Sequence, residues 1–261
     1  MKNLHIVVHD LHYPLWDKPT VYALFDFIRR NSKKIAGFGL AGDAWDNACI
    51  AHHNDGKPLY HVQGGYKRDR LGFERDILTP LEEILPKDAY KKFICGNHER
   101  FWDDFVEKHP QMDGLMSHFD GLKMAERGWE YIPLGHAYKI GALNVIHGEI
   151  LSGIGNQCGT MPSKKAVELY GDNVLAGHTH SPQSFTKISP VDRRKKFMAW
   201  ISPICGSTNP VYLRNRPTSW LQGFTIVELH PNGKSFNVYP VIVTDGRFSF
   251  AGELYGVPVK S

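Results

Sequence analysis

Residues 4–12 read LHIVVHDLH, a mostly apolar run that is followed by the polar residues His9, Asp10 and His12. Leu4 to Val8 is short and rich in β-branched residues, which predicts a buried strand. A helix is predicted next, because apolar residues recur at helical spacing after the helix-start signal Pro19-Thr20, at Val21, Leu24, Phe25 and Ile28. Gly37 to Ala41 is a second candidate for a buried strand. A strand, a helix and a strand in this order predict a parallel β–α–β unit.

The rest of the chain extends this unit. We predict a third strand over Lys92 to Cys95 and then a helix over Arg100 to His109, with four apolar side chains facing inward, Phe101, Trp102, Phe105 and Val106. Short strands dominate from Trp129 onward. The pattern predicts an α/β fold with two facing sheets flanked by helices. No linker divides the chain, so we expect one domain over residues 1–261, with a mostly β part over 181–261.

Composition limits the class of protein. The 261-residue chain has a net charge of +4 and a pI near 8.7, which permits a polyanionic substrate without requiring one. Its four cysteines form no CxxC pair, so we expect reduced thiols. The N-terminal apolar run is too short for a signal peptide, and no stretch approaches the roughly 18 apolar residues of a membrane span. These features predict a soluble cytoplasmic protein without a membrane partner.

Five short polar segments each follow a predicted strand. They are Asp10-Leu11-His12, Gly42-Asp43-Ala44-Trp45-Asp46, Gly96-Asn97-His98-Glu99, His147-Gly148-Glu149 and Gly177-His178-Thr179-His180. In α/β sheets, ligands gather outside the carboxyl ends of the strands. The five segments are therefore predicted to converge on one site.

The donor groups in these segments suit two transition-metal ions. Carboxylate, imidazole and amide groups match Mn, Fe, Zn or Ni without any thiolate. Two ions roughly 3.5–4 Å apart can clamp a phosphoryl group and generate hydroxide near neutral pH. Glycines next to the candidate ligands are expected to let the backbone turn sharply beneath the metals, at Gly42, Gly96, Gly148 and Gly177. Any one of these motifs occurs often by chance, but the ordered set favours a two-metal phosphoesterase.

The ordered set resembles the motifs of the calcineurin-like metallophosphoesterases, which read DxH, GDxxD, GNHE, a later His and GHxH. The resemblance runs from Asp10 to His180, about two-thirds of the chain. It implies a four-layer α/β/β/α sandwich of two facing mixed sheets flanked by helices. It also implies a dinuclear centre of two divalent transition-metal ions, with manganese as the first choice, and hydrolysis of phosphate esters by metal-bound hydroxide.

By position in these motifs, the resemblance implies a role for each site residue. The first ion would be held by Asp10, His12 and His180. The second would be held by Asn97, His147 and His178, with Asp43 bridging the two ions. His98 would lie beside the substrate phosphate, where it protonates the leaving oxygen or stabilises the developing charge. Asp46 would orient His98 from behind.

The substrate is predicted from weaker signals. The tail beyond His180 more loosely resembles small metallophosphoesterases encoded by phages and prophages, through Ser207-Thr208-Asn209-Pro210 and Trp220–Phe224. With the positive net charge and the basic run Asp192–Lys196, this favours a phosphodiesterase or nuclease acting on nucleic acid or nucleotides. A phosphomonoesterase acting on protein or small molecules is one alternative. A non-catalytic scaffold is another, and it should show decayed ligands, whereas the set here is complete.

Two residues outside the metal motifs are candidates for substrate contact. Arg100 follows Glu99 at a predicted helix start and could reach a substrate phosphate, with surface pairing as the alternative. His53 lies in a long loop over residues 47–66, where phosphate contact competes with simple solvation. His9 should point away from its neighbour Asp10, which favours a structural role. Substrate choice is expected to depend on the loops 47–66 and 148–165, and the sequence predicts no oligomeric state.

Overall fold

The computed structural model describes residues 2–57, 65–112, 117–151 and 161–256. Its strands are β1 Leu4–Val8, β2 Ile35–Ala41, β3 Tyr90–Ile94, β4 Trp129–Ile132, β5 Tyr138–Ile140, β6 Leu143–Val145, β7 Asn173–Ala176, β8 Gln183–Ile188, β9 Lys196–Ile201, β10 Gly223–Leu229, β11 Phe236–Ile242, β12 Phe248–Phe250 and β13 Glu253–Tyr255. Its α-helices are α1 Lys18–Asn31, α2 Tyr66–Phe73, α3 Thr79–Ile84, α4 Asn97–Lys108, α5 His118–Gly121 and α6 Pro162–Tyr170. A π-helical turn, Glu74–Leu78, joins α2 to α3.

Strand β1 and helix α1 form where the sequence predicts them. Leu4, Ile6 and Val8 point into the core beneath the helices, whereas Val7 points to the other face of the sheet. A strand buried on both faces carries a near-continuous apolar run, which is how β1 reads. Helix α1 begins after Asp17, whose side chain accepts a hydrogen bond from the amide of Thr20 at 2.9 Å and so caps the helix.

Most of the strands form two mixed sheets. Sheet 1 has the order β11-β10-β1-β2-β3-β4, and sheet 2 has the order β5-β6-β7-β9-β8. Strands β1 to β4 run parallel to one another, while β10 and β11 are antiparallel additions at one edge. In sheet 2, β6, β7 and β9 are parallel and the two edge strands are antiparallel. The predicted β–α–β unit is confirmed in β1, α1 and β2.

The cores between these elements define four layers. Side chains from both sheets, including Val7, Ile94 and Val145, pack together in one cluster, so the sheets face each other. Helix α1 and the helical segment from α2 to α3 cover the outer face of sheet 1. Helix α6 covers the outer face of sheet 2. This is the predicted α/β/β/α sandwich. Within the described ranges, no helix has the length and apolar character needed to cross a bilayer.

Helix α4 differs from its prediction. It starts at Asn97 instead of Arg100, because Gly96 serves as the N-cap and the Glu99 side chain accepts a hydrogen bond from the Gly96 amide at 2.7 Å. None of its residues is fully buried, so the expected inward-facing apolar side is only half-buried. The helix therefore lies at the rim of the sandwich and carries part of the GNHE segment in its first turn.

Candidate metal centre

The five predicted segments all emerge at the carboxyl ends of parallel strands. Asp10, Asp43 and Asn97 follow β1, β2 and β3, which are neighbours in sheet 1. His147 and His178 follow β6 and β7, which are neighbours in sheet 2. Because the two sheets face each other, these two rows of strand ends meet across the top of the central core.

One group of candidate ligands contains Asp10, His12 and His180. Their donor atoms lie within 4.8 Å of one another, and all three residues are buried. Asp10 Oδ1 is 3.4 Å from His180 Nε2, and the Nε2 atoms of His12 and His180 are 3.3 Å apart. Two imidazole nitrogens at this separation must share a proton or a cation, since two lone pairs would repel. This is the set predicted for the first metal ion.

A second group contains Asp43, His147 and His178, again with donor atoms within 4.8 Å of one another. His147 Nε2 lies 3.3 Å from Asp43 Oδ2 and 2.9 Å from the amide oxygen of Asn97. All four residues predicted at the second ion are thus brought together. Asp43 also belongs to a third group, with His12 and His98, so its carboxylate lies between the two predicted ion positions.

Each candidate ion position draws ligands from both sheets. Asp10 and His12 follow a strand of sheet 1, while His180 follows a strand of sheet 2. The second group is divided in the same way, with Asp43 and Asn97 from one sheet facing His147 from the other. A cation in either position would therefore link the two sheets.

The buried carboxylate of Asp10 fits a cation ligand. Its Oδ2 atom accepts a hydrogen bond from the His178 amide at 2.8 Å. Its Oδ1 atom has no hydrogen bond among the described residues and faces the rings of His180 and His147, at 3.4 Å from His180 Nε2 and 4.0 Å from His147 Nδ1. A buried charged oxygen without a partner is costly unless a cation or a proton compensates it. Together with the neighbouring imidazoles and the Asp43 carboxylate, it forms a donor set that suits a divalent transition metal.

The backbone at the candidate ligands is unusual. Several of them adopt left-handed conformations with φ between 51° and 64°, namely Asp10, His12, Asp43, His178 and His180. Residues other than glycine seldom occupy this region, and each instance costs free energy that the surrounding structure must supply. Such conformations cluster at functional sites, and here they turn successive side chains toward the same space.

Electrostatics within the site compensate the buried charges. Burial opposes protonation of His147, but the Asp43 carboxylate outweighs this effect and raises the pKa of His147 to about 10. Burial likewise opposes protonation of His12, but the Asp46 and Asp43 carboxylates raise its pKa to about 9. Burial would raise the pKa of Asp43, yet His147 and His98 hold it well below its usual value. Protons on these imidazoles therefore neutralise the carboxylates, and a metal ion must displace them.

His98 lies at the open side of the centre. Its Nδ1–H donates to the backbone carbonyl of Asp46 at 2.6 Å, and its Nε2 is 3.9 Å from Asp43 Oδ2. The carboxylate of Asp46 lies between two rings, with Oδ1 3.4 Å from His12 Nδ1 and 3.6 Å from His98 Nδ1. The hydrogen bond from His98 to Asp46 uses the backbone carbonyl, which any residue at this position would supply. The Asp46 carboxylate faces both His98 and His12.

Glu99 has a structural role that the sequence reasoning missed. Its carboxylate accepts backbone hydrogen bonds from Asp43 at 2.9 Å, Trp45 at 3.1 Å and Gly96 at 2.7 Å. Burial and the Asp43 charge raise the pKa of Glu99 to about 7. The side chain ties the loop after β2 to the start of α4. A Gly-x-x-Glu capping pattern in the sequence could have indicated this.

Asn47 is a second missed residue. Its side-chain amide donates to the carbonyl of His98 at 2.9 Å, and its side-chain oxygen accepts from His118 Nε2 at 2.8 Å. The His118 ring in turn stacks on Trp45 and Tyr66, at centroid distances of 4.7 and 3.8 Å. A buried chain of contacts therefore supports the backbone of His98. No short motif in the sequence links these distant residues.

The predicted substrate contacts lie at different distances from the centre. Arg100 is exposed and its Nε is 3.7 Å from Asp104 Oδ1, one turn further along α4. The His53 ring contacts Phe101 at a centroid distance of 5.5 Å. The Nε2 atom of His9 lies 3.0 Å from the carbonyl oxygen of Ile146 and, among the described residues, makes no hydrogen bond to a candidate ligand. Residues 58–64 and 152–160, which belong to the predicted substrate loops and include Cys158, lie outside the described residues.

Comparison with known proteins identifies the fold. No model of a protein family matches the chain, and no curated protein matches it. Among solved structures, it is similar to vacuolar protein sorting 29 from Cryptosporidium parvum, with 13% identity over 98% of each chain and a TM-score of 0.50. Zinc-complexed vacuolar protein sorting 29 from Entamoeba histolytica has 16% identity over 97% of this chain and 98% of its own, with a TM-score of 0.44. A dimetal phosphatase from Danio rerio has 9% identity over 88% and 93%, with a TM-score of 0.42. At such identities the similarity concerns the fold alone, which is the metallophosphoesterase sandwich.

Proposed function

We propose that the chain is a dinuclear metal-dependent phosphoesterase that cleaves phosphodiesters, with nucleic acid or nucleotides as its substrate class. The observation that carries the proposal is the pair of adjacent ligand groups, one with Asp10 and one with Asp43, in which two buried aspartates face imidazoles from both sheets. Structural turns alone have no need for buried carboxylates held in left-handed conformations. Two metal ions bound at this position would explain why these carboxylates are buried.

The residues of the chain divide into holding and catalytic roles. Asp10, His12 and His180 would hold one ion, and Asn97, His147 and His178 would hold the other, with Asp43 shared. When bound, the ions supply positive charge to the phosphoryl oxygens and lower the pKa of water. His98 is oriented by its hydrogen bond to the Asp46 carbonyl, so its Nε2 atom is available to a substrate. In the imidazolium form, Nε2–H can donate its proton to the leaving oxygen.

The preference for diesters rests on charge. The chain carries a net charge of +4, and a mildly basic protein favours polyanions. The basic run Asp192–Lys196 forms the turn between β8 and β9 and could contact a nucleic acid backbone. A phosphomonoesterase would use the same metal centre and is the alternative within this class. The looser similarity of the tail to phage-encoded proteins stays a prediction, as does manganese as the preferred metal.

A non-catalytic role is the second candidate function. It is favoured by the similarity in fold to a protein whose name refers to vacuolar sorting. It is opposed by the completeness of the ligand set and by the position of the His98 imidazole at the rim of the centre. Metal content and turnover separate the two functions.

The test begins with metal analysis of the purified protein. We expect close to two transition-metal ions per chain, and we expect Asp43→Asn to lose most of them, because Asp43 is the ligand that both ions would share. Asp103→Asn, an exposed aspartate on α4, is the matched control and should keep its metal. Full occupancy in the Asp43→Asn protein would contradict the bridging role.

A substrate panel then tests the activity. With manganese added, it should contain aryl monoesters and diesters, cyclic nucleotides, and single- and double-stranded DNA and RNA. Cleavage of diesters or nucleic acid supports the proposal. Rapid hydrolysis of monoesters without any diester cleavage would make the protein a phosphatase. A fully metal-loaded protein without turnover on the whole panel would favour the non-catalytic role.

A further inference from the structure

Three rings form a cluster beside His98 that the proposed chemistry does not use. The Phe101 ring lies 4.8 Å from the His98 ring, 5.5 Å from the His53 ring and 6.1 Å from the His52 ring, measured between centroids. His52 and His53 are themselves 5.5 Å apart. We call Phe101, His52 and His53 the ring cluster. It adjoins the metal centre directly, because its neighbour His98 lies 3.9 Å from Asp43.

Two separate elements build the ring cluster. Phe101 follows His98 by three residues on α4, which places both side chains on one helix face. His52 and His53 lie on a short 3₁₀ helix, His52–Asn54. Asn54 fixes that helix by donating to the Ala48 carbonyl at 3.0 Å, and Lys57 donates to the His53 carbonyl at 2.6 Å.

The ring cluster is open to a ligand. Phe101 is half-buried, and His52 and His53 are exposed. The other aromatic side chains of α4 have different neighbours: Trp102 stacks on Tyr66 at 4.7 Å, and Phe105 lies 4.6 Å from the ring of His109. Among the aromatic residues of this helix, Phe101 is therefore the one whose ring contacts His98.

The chemistry of the ring cluster suits a flat, uncharged group. Partial burial and the neighbouring His52 lower the pKa of His53, which favours the neutral ring and its π face over the cation. Arg100, the nearest cation on α4, is paired with Asp104 one turn along. A ring surface of this kind can bind a base by stacking.

We propose that the ring cluster is a binding site for the base of a nucleoside phosphate ester. The ester oxygen of the bound nucleotide faces His98, and the base stacks on Phe101. The inference rests on the proposed function for the position of the phosphate on the metal centre, and it deepens that function by naming a nucleoside as the group attached to the phosphate. His53, first considered as a phosphate contact, contacts the base instead.

The test compares two probes on the metal-loaded protein by calorimetry. Thymidine 5′-monophosphate has a base, and deoxyribose 5-phosphate has the same phosphate without one. We expect the wild-type protein to bind the first about 5- to 150-fold more tightly, since stacking on an aromatic side chain contributes about 1–3 kcal/mol per base and about 1.4 kcal/mol is tenfold. Phe101→Leu keeps an apolar side chain but loses the ring, so it should lose most of this preference.

Two further variants control the comparison. Phe101→Tyr keeps the ring and should keep the preference for the base. Phe105→Leu makes the same change one turn further from His98 and should also keep it. Equal binding of both probes by the wild-type protein, or an unchanged preference in Phe101→Leu, would overturn the inference. Hydrolysis on the substrate panel is measured separately, so a protein that prefers the base but cleaves nothing would overturn the proposed function and leave the base site standing.

Discussion

At the scale of single residues, His98 is the side chain that the proposed function assigns to catalysis and not to metal binding. Its side chain is 21% exposed, compared with 5% for His12 and 0% for His147. It also has a fixed hydrogen bond to the Asp46 carbonyl, which holds the ring in one orientation. A group that must reach substrate needs both properties.

Replacing His98 with Gln should therefore reduce turnover about 10²–10⁴-fold, which is the usual contribution of a general acid or base. Metal content should stay at the wild-type level, because the groups Asp10–His12–His180 and Asp43–His147–His178 do not include His98. The measurements are steady-state turnover of an aryl diester and metal analysis of the same preparation. Near wild-type turnover would remove His98 from the reaction, and loss of metal would make it a ligand.

His5 illustrates a residue whose effect is on stability instead of catalysis. Burial lowers its pKa from 6.5 to about 4, so the folded protein keeps the ring neutral while the unfolded chain takes up a proton below pH 6.5. The stabilising effect is fully present above pH 6.5 and is lost as pH falls from 6.5 toward 4. Linkage gives a loss of about 2 kcal/mol in the free energy of unfolding between pH 7.5 and pH 5.

His5→Gln should remove that part of the pH dependence, because glutamine does not titrate. The measurement is urea unfolding of both proteins at pH 7.5 and pH 5. We expect the variant to be less stable at pH 7.5, since the contact of His5 Nδ1 with the Tyr90 hydroxyl at 2.8 Å is altered. Its further loss on acidification should be smaller than that of the wild-type protein by about 2 kcal/mol. Parallel losses in the two proteins would contradict the assignment.

At the scale of elements, the approach of the β2 loop to the start of α4 depends on Gly96. A Cβ atom at this position would lie 2.1 Å from Asp43 Oδ1 and 2.9 Å from Glu99 Oε2. The φ angle of Gly96 is −93°, which any residue adopts, so the requirement is for space alone. At Gly42 both reasons apply, since φ is +94° and a Cβ atom would lie 2.2 Å from His147 Nδ1.

Gly96→Ala should therefore displace Asp43 and disturb the metal centre. We expect metal content to fall, and we expect the free energy of unfolding to fall by about 1–3 kcal/mol, as for other overpacked sites. Gly65→Ala is the control, because φ is −90° and no atom lies within 4 Å of the added Cβ. It should be neutral or slightly stabilising. Normal metal content in Gly96→Ala would show that the loop has room to adjust.

The sequence predicted which polar residues come together better than it predicted the bounds of the elements around them. The strands that precede Asp10 and Asp43 are almost wholly buried, so their apolar runs are nearly continuous and easy to recognise. Of the four glycines expected to turn the chain sharply, Gly42 and Gly148 have a positive φ, whereas Gly96 and Gly177 are needed only for space. The order of residues along the chain does not indicate how closely another loop approaches a given glycine in the folded protein.

The ring cluster could not have been predicted for a related reason. Phe101 was expected to face inward, because an apolar residue at helical spacing indicates the buried side of a helix. Helix α4 lies at the rim, so this side is only half-buried and meets His52 and His53 from a remote loop. Contacts between segments so far apart in sequence depend on the packing of the whole sandwich.

At the scale of the whole molecule, the basic run lies far from the metal centre. His180 precedes β8, whose strand Gln183–Ile188 leads away from the centre to the turn that contains Arg193 and Arg194. Six residues of strand span about 17–20 Å. Within the turn, Arg194 Nε is 3.1 Å from Asp192 Oδ1, so an acid offsets part of the positive charge. A polyanion must extend over sheet 2 to touch both sites.

The salt dependence of binding tests whether a polyanion contacts the basic run Asp192–Lys196. On a metal-loaded but non-hydrolysing preparation, affinity for single-stranded DNA should fall with salt, with a slope of roughly −0.7 per phosphate neutralised, or roughly −0.9 on duplex DNA. Neutralising the four cations of the turn together, at Arg193, Arg194, Lys195 and Lys196, should flatten that slope. Hydrolysis of a small aryl diester should be unchanged, since the metal centre is untouched.

A second cationic surface provides the matched comparison. Lys67 and Arg75 line a surface depression of about 730 Å³ together with Tyr13, which follows the candidate ligand His12 directly. Lys67→Gln with Arg75→Gln neutralises this surface. If the salt slope is flattened by this pair of changes and not by the changes in the β8–β9 turn, the prediction is wrong and the polyanion lies across α2.

The left-handed conformations at the candidate ligands have an evolutionary consequence. Each one costs free energy that glycine would recover, roughly 1–2 kcal/mol for most residue types and less for aspartate. In a lineage that no longer needs Asp10, His12 and His178, replacing them with glycine would therefore make the protein more stable. A descendant that no longer binds metal ions is expected to lose these side chains early, well before its core.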